Sequence, residues 1–496
     1  MSTTISTTTD ALRGHAVRTE LFIGGEWVET PDSFEVIDPA TEKVLASVAN
    51  GSPQDALKAL DAAANAQPSW ASVTPRERAE LLRRVYDLLI ERADAFIDVM
   101  VLESGKPRAE AMGEFDLSAN FFLWHIEQIT HLHGSFGSSS RGGYRIVTTH
   151  HPIGPSLLIT PWNFPLLMGA RKMGAALAAG CTVVVKSAKQ TPLSLALLTQ
   201  TLTDAGVPSG VVNLIHTTRS AEVSAVLMKD NRLKKVSFTG STKTGSVLLR
   251  QAADNIMGAS MELGGNGPFV VLDDADIDLA VREAIICKYR NTGQACVAAN
   301  RIILHSGIAK EFTEKFVAAA RRLVVGNGFE RDVQVGPMIS AEQREGIEVM
   351  IRSAMDEGAR LLTGGKKLPG VGYFYEPTVI DNIDKTSQLA CNELFAPVAV
   401  LYTVHSVKEA VDFANDTTYG LAAYLFTNDI SRAIGIAERM ESGMVGVNRG
   451  IMADPAAPFG GTKTSGLGRE GGDHAIHEFL ETKYIALTVN DEGPLS

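Results

Sequence analysis

Between residues 156 and 253 the chain alternates short, β-branched apolar runs with longer segments whose apolar residues recur every three or four positions. Runs of the first kind predict buried strands, and segments of the second kind predict helices. The first such pair is Ser156–Thr160 followed by Leu166–Ala179. The alternation predicts a parallel, doubly wound sheet whose ligands bind beyond the carboxyl ends of the strands. The later pairs are Thr182–Lys186 with Leu193–Asp204, Val211–Ile215 with Ala221–Met228, and Lys235–Thr239 with Lys243–Ala253.

A second strand–helix alternation runs from about Asp273 to Arg449, with helices predicted at Asp276–Lys288, Ile308–Leu323 and Ala341–Glu357. We therefore predict an α/β fold with two doubly wound, Rossmann-like domains. A chain of 496 residues is also too long for one ordinary core, which agrees with two or three domains.

Two β-prone stretches, Tyr144–His150 and Tyr484–Val489, have no neighbour in sequence with which to pair. We predict that they pair between subunits as exposed edges and form a small β element for oligomerisation. The predicted division is a first domain of 19–135 with 152–262, a second domain of 263–449, and the β element of 136–151 with 478–496.

The N-terminal region is predicted to contain a hairpin and capped helices. Leu21–Val28 and Phe34–Ile37 are β-prone runs separated by a Thr-Pro-Asp turn, which is typical of a hairpin. Ser52 followed by proline starts a helix that we predict to run to about Ala66, and Thr74–Glu77 is a capping box that opens another. Roughly the first eighteen residues are predicted to be a loose tail.

Composition narrows the functional classes. A net charge of −11 without a dense basic run disfavours nucleic acid as a partner. The longest apolar run, Met173–Val185, is shorter than a membrane span, and the N-terminus lacks the apolar core of a secretory signal. The four cysteines match neither a disulfide framework nor a zinc site, which predicts reduced thiols, no metal and a cytoplasmic location.

Three polar residues are candidates for catalysis. Cys296 lies in a short polar turn between two apolar segments, where a nucleophilic thiol would be accessible and favoured as thiolate, although most lone cysteines are inert. Glu262 ends an apolar strand before two glycines and is either a solvated strand end or a positioned base. Asn163 lies between two prolines and forms either an Asx turn or a fixed amide donor.

The strand ends also carry groups suited to a nucleotide. Gly240–Gly245 follows a strand and opens a helix, so its N–H groups could bind a pyrophosphate, although any tight strand-to-helix turn has this pattern. Lys186 ends a buried strand and has Ser187 and Lys189 beside it. Two ammonium groups and a hydroxyl facing the crevice would suit a ribose phosphate, whereas a lone lysine at a strand end often only extends to solvent.

These candidates belong to ordered motifs that resemble the aldehyde dehydrogenase superfamily from about Phe22 to Tyr484. The reaction of that family requires a thiol, a carboxylate, an amide donor and a nucleotide crevice. The motifs are Glu103-Ser104-Gly105-Lys106-Pro107, Pro161-Trp162-Asn163-Phe164-Pro165, Phe238-Thr239-Gly240-Ser241, Glu262-Leu263-Gly264-Gly265, Gly293-Gln294-Ala295-Cys296, Asn392-Glu393-Leu394-Phe395-Ala396-Pro397 and Pro458-Phe459-Gly460-Gly461.

The resemblance implies oxidation of an aldehyde to a carboxylic acid, with the first domain binding NAD(P) and the second carrying the catalytic cysteine. Cys296 would attack the aldehyde carbon, Asn163 and the Cys296 N–H would hold the oxyanion, and Glu262 would activate the water that hydrolyses the thioester. A homodimer or homotetramer is also implied. The positions implied to bind the cofactor are Thr160, Pro161, Trp162, Asn163, Lys186, Ser187, Ala188, Lys189, Gly240, Ser241, Leu263, Glu393 and Phe395.

Lys189 bears on the choice of cofactor. Family members often have Pro-Ser-Glu after the strand lysine, and that glutamate binds the adenosine ribose hydroxyls. This chain has Ser187-Ala188-Lys189 instead. Because a lysine attracts a 2′-phosphate that a glutamate would repel, we predict a preference for NADP, with NAD as the alternative.

The substrate residues resemble those of succinate-semialdehyde dehydrogenases. In that subfamily the arginines that match Arg171 and Arg290 bind the distal carboxylate, and Phe459 is implied to line the substrate site. Either arginine could instead be a structural ion-pair partner. The loop serine that assists in relatives is replaced by Ala453 or Asp454, so another semialdehyde, or a neutral or aromatic aldehyde, is the alternative to succinate semialdehyde.

Two further alternatives concern the class of protein. A catalytically silent binding protein could share this fold, and an acylating dehydrogenase would transfer the acyl group to coenzyme A. Retention of Cys296, Asn163 and Glu262 favours a hydrolytic enzyme over both. Ala298 replaces a cysteine that some relatives carry two residues after the nucleophile, so no local disulfide switch is predicted.

Overall fold

The structure, a computed structural model, describes residues 11–488. The helices are α1 (Pro53–Ser72), α2 (Pro75–Glu91), α3 (Ala93–Ser104), α4 (Arg108–Ile129), α5 (Pro165–Ala179), α6 (Leu193–Asp204), α7 (Ser220–Met228), α8 (Thr242–Ala253), α9 (Ile277–Tyr289), α10 (Ala309–Arg321), α11 (Ala341–Asp356), α12 (Gln388–Cys391), α13 (Val407–Asn415), α14 (Ile430–Ala437) and α15 (His474–His477). The strands are β1 (Leu21–Ile23), β2 (Glu26–Val28), β3 (Ser33–Ile37), β4 (Val44–Ala49), β5 (Ser135–Ser138), β6 (Arg145–Pro152), β7 (Ser156–Ile159), β8 (Val183–Lys186), β9 (Val212–Ile215), β10 (Lys235–Thr239), β11 (Gly258–Glu262), β12 (Gly267–Val271), β13 (Ala299–His305), β14 (Arg360–Thr363), β15 (Thr378–Asp381), β16 (Val398–Val404), β17 (Ala422–Phe426), β18 (Met444–Val447), β19 (Gly466–Leu467) and β20 (Leu480–Leu487).

The first sheet has eight strands in the order β19-β11-β10-β7-β8-β9-β1-β2. Its centre, from β11 to β9, is parallel, and all four predicted strand–helix pairs are present. The chain adds strands on one side of β7 and then continues with β10 on its other side. The strand order therefore reverses between β7 and β10. Doubly wound sheets bind ligands in the crevice at such a reversal, beyond the carboxyl ends of the strands.

The second sheet has seven strands in the order β14-β15-β16-β13-β12-β17-β18. All its pairs are parallel except β14 with β15, and the three predicted helices appear as α9, α10 and α11. Two doubly wound sheets of this kind confirm the predicted α/β class. The turn that carries Cys296 lies between α9 and β13, just before the central strand of this second sheet.

The third sheet is a three-stranded ribbon in the order β20-β6-β5. β6 and β20 pair antiparallel from Arg145 opposite Leu487 to Pro152 opposite Leu480. The two stretches predicted to pair between subunits thus pair with each other in one chain, a long-range contact that separation in sequence concealed. Association between copies stays a prediction, and the last residues of the proposed β element, 489–496, lie outside the described residues.

The predicted N-terminal hairpin is wrong in its pairing. β1 pairs with β2 through a turn at Gly24 and Gly25, whose φ angles are 64° and 96°, and β3 pairs with β4. Two glycines in this conformation form a tight hairpin turn, so the break lies inside the run that we predict to be one strand. Helices α1 and α2 begin at the predicted caps, each with a complete capping box.

The predicted loose tail is also wrong where the structure describes it. Leu12 and Val17 are each only 2% exposed and belong to the main core cluster of the first domain. Arg13 stacks over the Phe329 ring at 4.2 Å, and His15 lies 3.2 Å from Asp98. Residues 11–18 are therefore held by packing and electrostatic contacts, and residues 1–10 lie outside the described part of the chain.

Candidate active site

A cavity of about 200 Å³ at the crevice of the first sheet brings together residues that follow strands of the first sheet and residues beside strands of the second. Cys296, Glu262 and Asn163 all line it, as do seven predicted cofactor positions besides Asn163. Four further lining residues are not among the predicted site residues, namely Met168, Thr239, Gly264 and Gln343. The complete lining is Pro161, Trp162, Asn163, Met168, Thr239, Gly240, Ser241, Glu262, Leu263, Gly264, Cys296, Gln343, Glu393 and Phe395.

The turn before Cys296 is strained and firmly held. Asn291, Thr292 and Gly293 all have positive φ, at 52°, 57° and 70°. For the first two this conformation costs roughly 1–2 kcal/mol per residue, so the surrounding contacts must impose it. The Asn291 N–H donates to Glu110 Oε2 at 2.7 Å, and the Thr292 hydroxyl donates to the Gly336 carbonyl at 3.0 Å.

Cys296 itself is half-buried, and its surroundings do not favour thiolate. Burial raises the pKa of its thiol to about 12, and the carboxyl groups of Glu393 and Glu262 add to the rise, whereas Arg171 and Arg290 oppose it. The expectation of a depressed pKa is therefore wrong for the protein without ligands. The raised pKa favours the protonated thiol at neutral pH, so the thiol must lose its proton before it can attack as thiolate.

Asn163 is fixed at both its side chain and its backbone. Its Nδ2 donates to the Gln294 carbonyl at 3.0 Å, two residues before the thiol, and its own carbonyl accepts from Asn291 Nδ2 at 2.9 Å. Lys106 Nζ donates to the same carbonyl at 2.9 Å and forms a buried ion pair with Glu114. Glu114 in turn accepts two N–H groups from the first turn of α5. Lys106 and Glu114 thus orient the amide.

Glu262 ends β11, in register with Thr239 at the end of β10. It is 3% exposed, and no hydrogen-bond donor reaches its Oε2 within residues 11–488. Gly460 permits this position, because a Cβ there would lie 2.9 Å from Glu262 Oε1. Burial raises the pKa of Glu262 well above its usual value, and the charge of Glu470 raises it further. A buried carboxyl with a free oxygen and a raised pKa suits a general base.

Glu470 is a buried carboxylate that is not among the predicted site residues. It forms ion pairs with both Arg171 and Lys172 of α5, and Lys172 Nζ donates to Ser237 Oγ at 3.0 Å. Burial opposes its ionisation, but the two cations outweigh that effect and hold the pKa of Glu470 below its usual value. The network lies directly behind Glu262. Separation by about 300 residues hides it from sequence reasoning.

The glycine-containing loop of the cofactor crevice, Gly240–Gly245, lets a ligand come close to its backbone. Ser241 caps α8 through its side chain, and the N-terminus of that helix opens toward the cavity. A side chain at Gly240 would overlap the Phe238 ring, and a Cβ at Gly245 would lie 2.5 Å from Leu263. These residues fit a dinucleotide, because a helix N-terminus and an unobstructed backbone are what a pyrophosphate requires.

The opposite wall of the crevice carries Glu393. Its Oε1 accepts the Gly265 N–H at 3.0 Å, and burial raises its pKa to about 7. A Cβ at Gly264 would lie 2.5 Å from Glu393 Oε2, so the glycine pair of the Glu262 motif makes room for this carboxyl. The Trp162 and Phe395 rings meet edge to face at 5.4 Å across the cavity.

The predicted ribose-phosphate residues are divided between the core and the surface. Lys186 is buried, donates to Ser220 Oγ at 3.2 Å, and has a pKa that burial lowers to about 8. Ser187 Oγ lies 2.7 Å from His216 Nδ1 and is fully buried, contrary to the expectation that this hydroxyl faces the crevice. Lys189 is exposed. Ala188 and Thr160 are buried beside them.

The predicted substrate residues lie outside the cavity lining. Arg171 is buried, and its guanidinium stacks over the Phe459 ring at 4.3 Å. Arg290 is half-buried and lies 5.7 Å from the centroid of the Phe164 ring. In the loop that lacks the expected serine, Asp454 is exposed and accepts the N–H of Ala456 at 2.9 Å.

Residues 27–485 match the family model described as the aldehyde dehydrogenase family. The chain belongs to the aldehyde dehydrogenase family. The succinate-semialdehyde dehydrogenase of Paenarthrobacter nicotinovorans is 47% identical, covering 90% of this chain and 99% of the relative. The glutarate-semialdehyde dehydrogenase of Pseudomonas putida is 42% identical (95% and 98%), and the NADP(+) succinate-semialdehyde dehydrogenase of Escherichia coli is 40% identical (95% and 98%).

A solved structure of a succinate-semialdehyde dehydrogenase from Burkholderia pseudomallei superimposes with a TM-score of 0.94 at 41% identity, covering 98% of this chain and all of that one. Within residues 11–488 of this aldehyde dehydrogenase, no helix is long and apolar enough to cross a membrane. The described residues also contain no group of three or more His, Cys, Asp and Glu side chains that could hold a metal ion.

Proposed function

We propose that this aldehyde dehydrogenase oxidises succinate semialdehyde to succinate with NADP. The observation that carries the proposal is the single cavity in which Cys296, Asn163 and Glu262 meet a dinucleotide crevice. Arg290, six residues before the thiol, supplies a cation for a second, distal carboxylate on the substrate.

In the first half of the reaction, the Cys296 thiol gives up its proton to water, and the resulting thiolate attacks the aldehyde carbon. The amide of Asn163 and the Cys296 N–H stabilise the oxyanion, a contribution of roughly 2.7–4 kcal/mol for one such donor in other enzymes. A bound oxidised cofactor would supply the hydride acceptor that the adduct of the aldehyde with Cys296 needs to become a thioester. Trp162, Glu393 and Phe395 would hold that cofactor against the thiol.

In the second half, Glu262 takes a proton from water, and the resulting hydroxide attacks the thioester carbonyl. The C–S bond breaks, the carboxylic acid leaves, and the Cys296 thiol is regenerated. Burial and the negative charge of Glu470 make Glu262 a stronger base than an exposed glutamate. Because a base at this position activates water, we expect the thioester to be hydrolysed rather than its acyl group to be transferred to coenzyme A.

The preference for NADP rests on Lys189 and Lys186. Lys189 is exposed at the end of the crevice, and Lys186 lies beside Ser220 at the start of α7. We expect the Lys189→Glu variant to lower the ratio of kcat/KM for NADP to that for NAD by about 10–100-fold, because it replaces an attraction with a repulsion. Lys229, an exposed lysine at the end of α7, provides the matched control. A wild-type enzyme that prefers NAD would contradict the cofactor proposal.

The substrate proposal is tested with a panel of aldehydes under saturating NADP, with NADPH formation as the readout. We expect kcat/KM for succinate semialdehyde to exceed that for butanal, a neutral aldehyde of the same chain length. Equal values would contradict the proposal. The second candidate is a longer semialdehyde, favoured by the absence of the loop serine at Ala453, and glutarate semialdehyde tests it in the same panel.

We also propose that the chain acts as a cytoplasmic homo-oligomer. The three-stranded ribbon exposes large apolar side chains, among them Phe136 at 69% and Tyr484 at 54%. Phe136 lies on β5 and Tyr484 on β20, the two outer strands of the ribbon, and exposed apolar groups on such strands are typical of an association surface. Light scattering of the purified protein tests this, and a monomer at micromolar concentration would contradict it.

A further inference from the structure

We propose that Lys288 is a positioning residue for Glu393, which it holds in place and keeps ionised. The inference rests on the proposed function, in which Glu393 holds the cofactor against the thiol. Lys288 is not among the residues that line the cavity, and its ammonium group binds the backbone behind Glu393. It acts on the cofactor only through that carboxyl.

Lys288 is a buried cation without a carboxylate in contact. It lies at the end of α9 and is 0% exposed. Within residues 11–488, no carboxylate oxygen lies within 4.0 Å of its ammonium group. Its Nζ donates to two neutral acceptors, Asn300 Oδ1 at 2.9 Å and the Leu394 carbonyl at 3.4 Å. Because a buried charge held only by neutral groups is costly, a negative group farther away is needed to favour it.

Both acceptors of Lys288 lead to Glu393. Leu394 follows Glu393 in the chain, so the ammonium group binds the backbone directly after this carboxyl. Asn300, near the start of β13, donates from Nδ2 to the Gly265 carbonyl at 3.3 Å. The Gly265 N–H in turn donates to Glu393 Oε1 at 3.0 Å. Lys288 therefore holds the glutamate from its backbone and, through Asn300 and Gly265, from its carboxylate.

The charges of the two side chains also favour each other. Burial raises the pKa of Glu393 to about 7, whereas the Gly265 N–H and the positive charge of Lys288 act to lower it. Burial lowers the pKa of Lys288 to about 7, against the effects of Cys287 and Glu393. Around neutral pH the pair therefore keeps one proton, and Glu393 is ionised when Lys288 carries it. The other titratable groups that face the pair are Cys287, Cys296 and Tyr419.

The ionised form of Glu393 suits the wall of a cofactor crevice. A carboxylate accepts hydrogen bonds at both oxygens and binds hydroxyl donors more strongly than a neutral carboxyl does. Oε1 accepts the Gly265 N–H, and Gly264 leaves room beside Oε2, since a Cβ there would lie 2.5 Å from that oxygen. A ribose hydroxyl of the cofactor can therefore donate to Oε2 when Glu393 is charged.

The experiment measures the Kd of NADP by isothermal titration calorimetry between pH 6 and 9, which requires no turnover. It compares the wild type with Lys288→Met, Glu393→Gln and the double variant. Without the lysine charge the pKa of Glu393 rises, so affinity should be lost at higher pH on acidification. We expect Lys288→Met to raise the Kd by about 3–10-fold at pH 7 and by less than about twofold at pH 9, where the carboxyl ionises without help.

The double variant separates positioning through Glu393 from a general structural effect. If Lys288 acts through the carboxylate, adding Lys288→Met to Glu393→Gln should raise the Kd by less than about twofold at any pH. Lys288→Gln removes the charge and keeps a hydrogen-bond donor, and it provides the same test if Lys288→Met folds poorly. Weakening of equal size with and without the Glu393 carboxyl overturns the inference.

Lys235→Met is the matched control for the loss of a buried ammonium group. Lys235 is 2% exposed, lies on β10, and pairs with Glu478 at 3.1 Å outside the cavity lining. We expect this variant to unfold at a lower temperature and to keep the Kd of NADP within about twofold of the wild type. A Kd raised as much as in Lys288→Met would overturn the inference.

The same measurements distinguish failure of the inference from failure of the proposed function. If Glu393→Gln raises the Kd and Lys288→Met leaves it unchanged at every pH, the role of Lys288 is wrong and that of Glu393 stands. If Glu393→Gln leaves the Kd unchanged, the proposed contact of Glu393 with the cofactor is wrong, and the inference fails with it.

Discussion

The turn before Cys296 and the loop from Arg449 to Phe459 both border the proposed substrate site, but they are built differently. Polar groups of the turn are held by distant elements, as when Thr292 donates to Gly336 and the Ile339 N–H donates to Gln294 Oε1. In the loop, Arg449 Nε donates to the Ile451 carbonyl and Asp454 accepts the Ala456 N–H, each two residues away, although the Gly450 N–H donates to the distant Glu283. We therefore expect the middle of the loop to tolerate substitution better than the turn, and we propose that it acts on substrate choice rather than on the chemistry.

The largest effect should come from breaking the turn itself. Gly293 has φ 70°, and a Cβ there would overlap the Ala396 carbonyl. We expect Gly293→Ala to destabilise the fold by about 2–5 kcal/mol through strain and overlap, and to lower kcat by about 100-fold because Cys296 is displaced. Thermal unfolding and steady-state kinetics measure the two effects.

Gly435→Ala is the matched control for that substitution. Gly435 lies inside α14, and no described atom would come within 4 Å of its added Cβ. Alanine is the better helix former, so we expect this variant to gain roughly 0.5–1 kcal/mol and to keep full activity. If Gly293→Ala and Gly435→Ala changed stability and kcat by similar amounts, the conclusion that the turn is strained and positions Cys296 would be contradicted.

The next prediction concerns the protonation of the thiol. Because burial places the pKa of Cys296 at about 12, the thiolate fraction of the free enzyme should rise about tenfold per pH unit between pH 7 and 9. The rate of Cys296 alkylation by iodoacetamide, followed by peptide mass spectrometry, should rise in proportion. Cys391 is exposed and serves as the reference thiol in the same sample. A rate at Cys296 that levels off below pH 9 would argue for a depressed pKa.

The smallest effect is expected in the loop. Asp454→Asn removes an exposed negative charge near the proposed carboxylate site and preserves the side chain that caps its turn. We expect kcat/KM for succinate semialdehyde to rise by about 2–5-fold, as for a weak exposed interaction, and the value for butanal to stay constant. An equal change with both aldehydes would show that the loop acts on the chemistry rather than on substrate choice.

The sequence predicts the local structure well and the long-range contacts poorly. The boundaries of α6 and β10 agree with the structure because periodicity and caps depend on neighbouring residues. The pairing of β6 with β20 joins residues more than 300 positions apart, and the turn at Gly24 and Gly25 lies inside one apolar run. Neither follows from periodicity.

The candidate site shows the same difference between local features, which the sequence predicts, and long-range contacts, which it does not. Motifs identify Cys296, Glu262 and Asn163 as candidates, and the fold brings them to one cavity. The residues that orient or charge them, Lys106 and Glu470, act through contacts set by tertiary packing. The pKa of the thiol also depends on burial and on carboxyl groups from other elements. The sequence of the turn alone therefore predicts a lowered pKa, whereas the structure raises it.

The most direct test of the central claim is a pre-steady-state experiment on Glu262→Gln with NADP and succinate semialdehyde in excess over enzyme. If Cys296 is the nucleophile and Glu262 the base of hydrolysis, NADPH should appear in a burst of one equivalent per site and then slow by about 100-fold or more. Mass spectrometry should find one succinyl group on the peptide that contains Cys296. Steady turnover without a burst, or an acyl group absent from that peptide, would contradict the account.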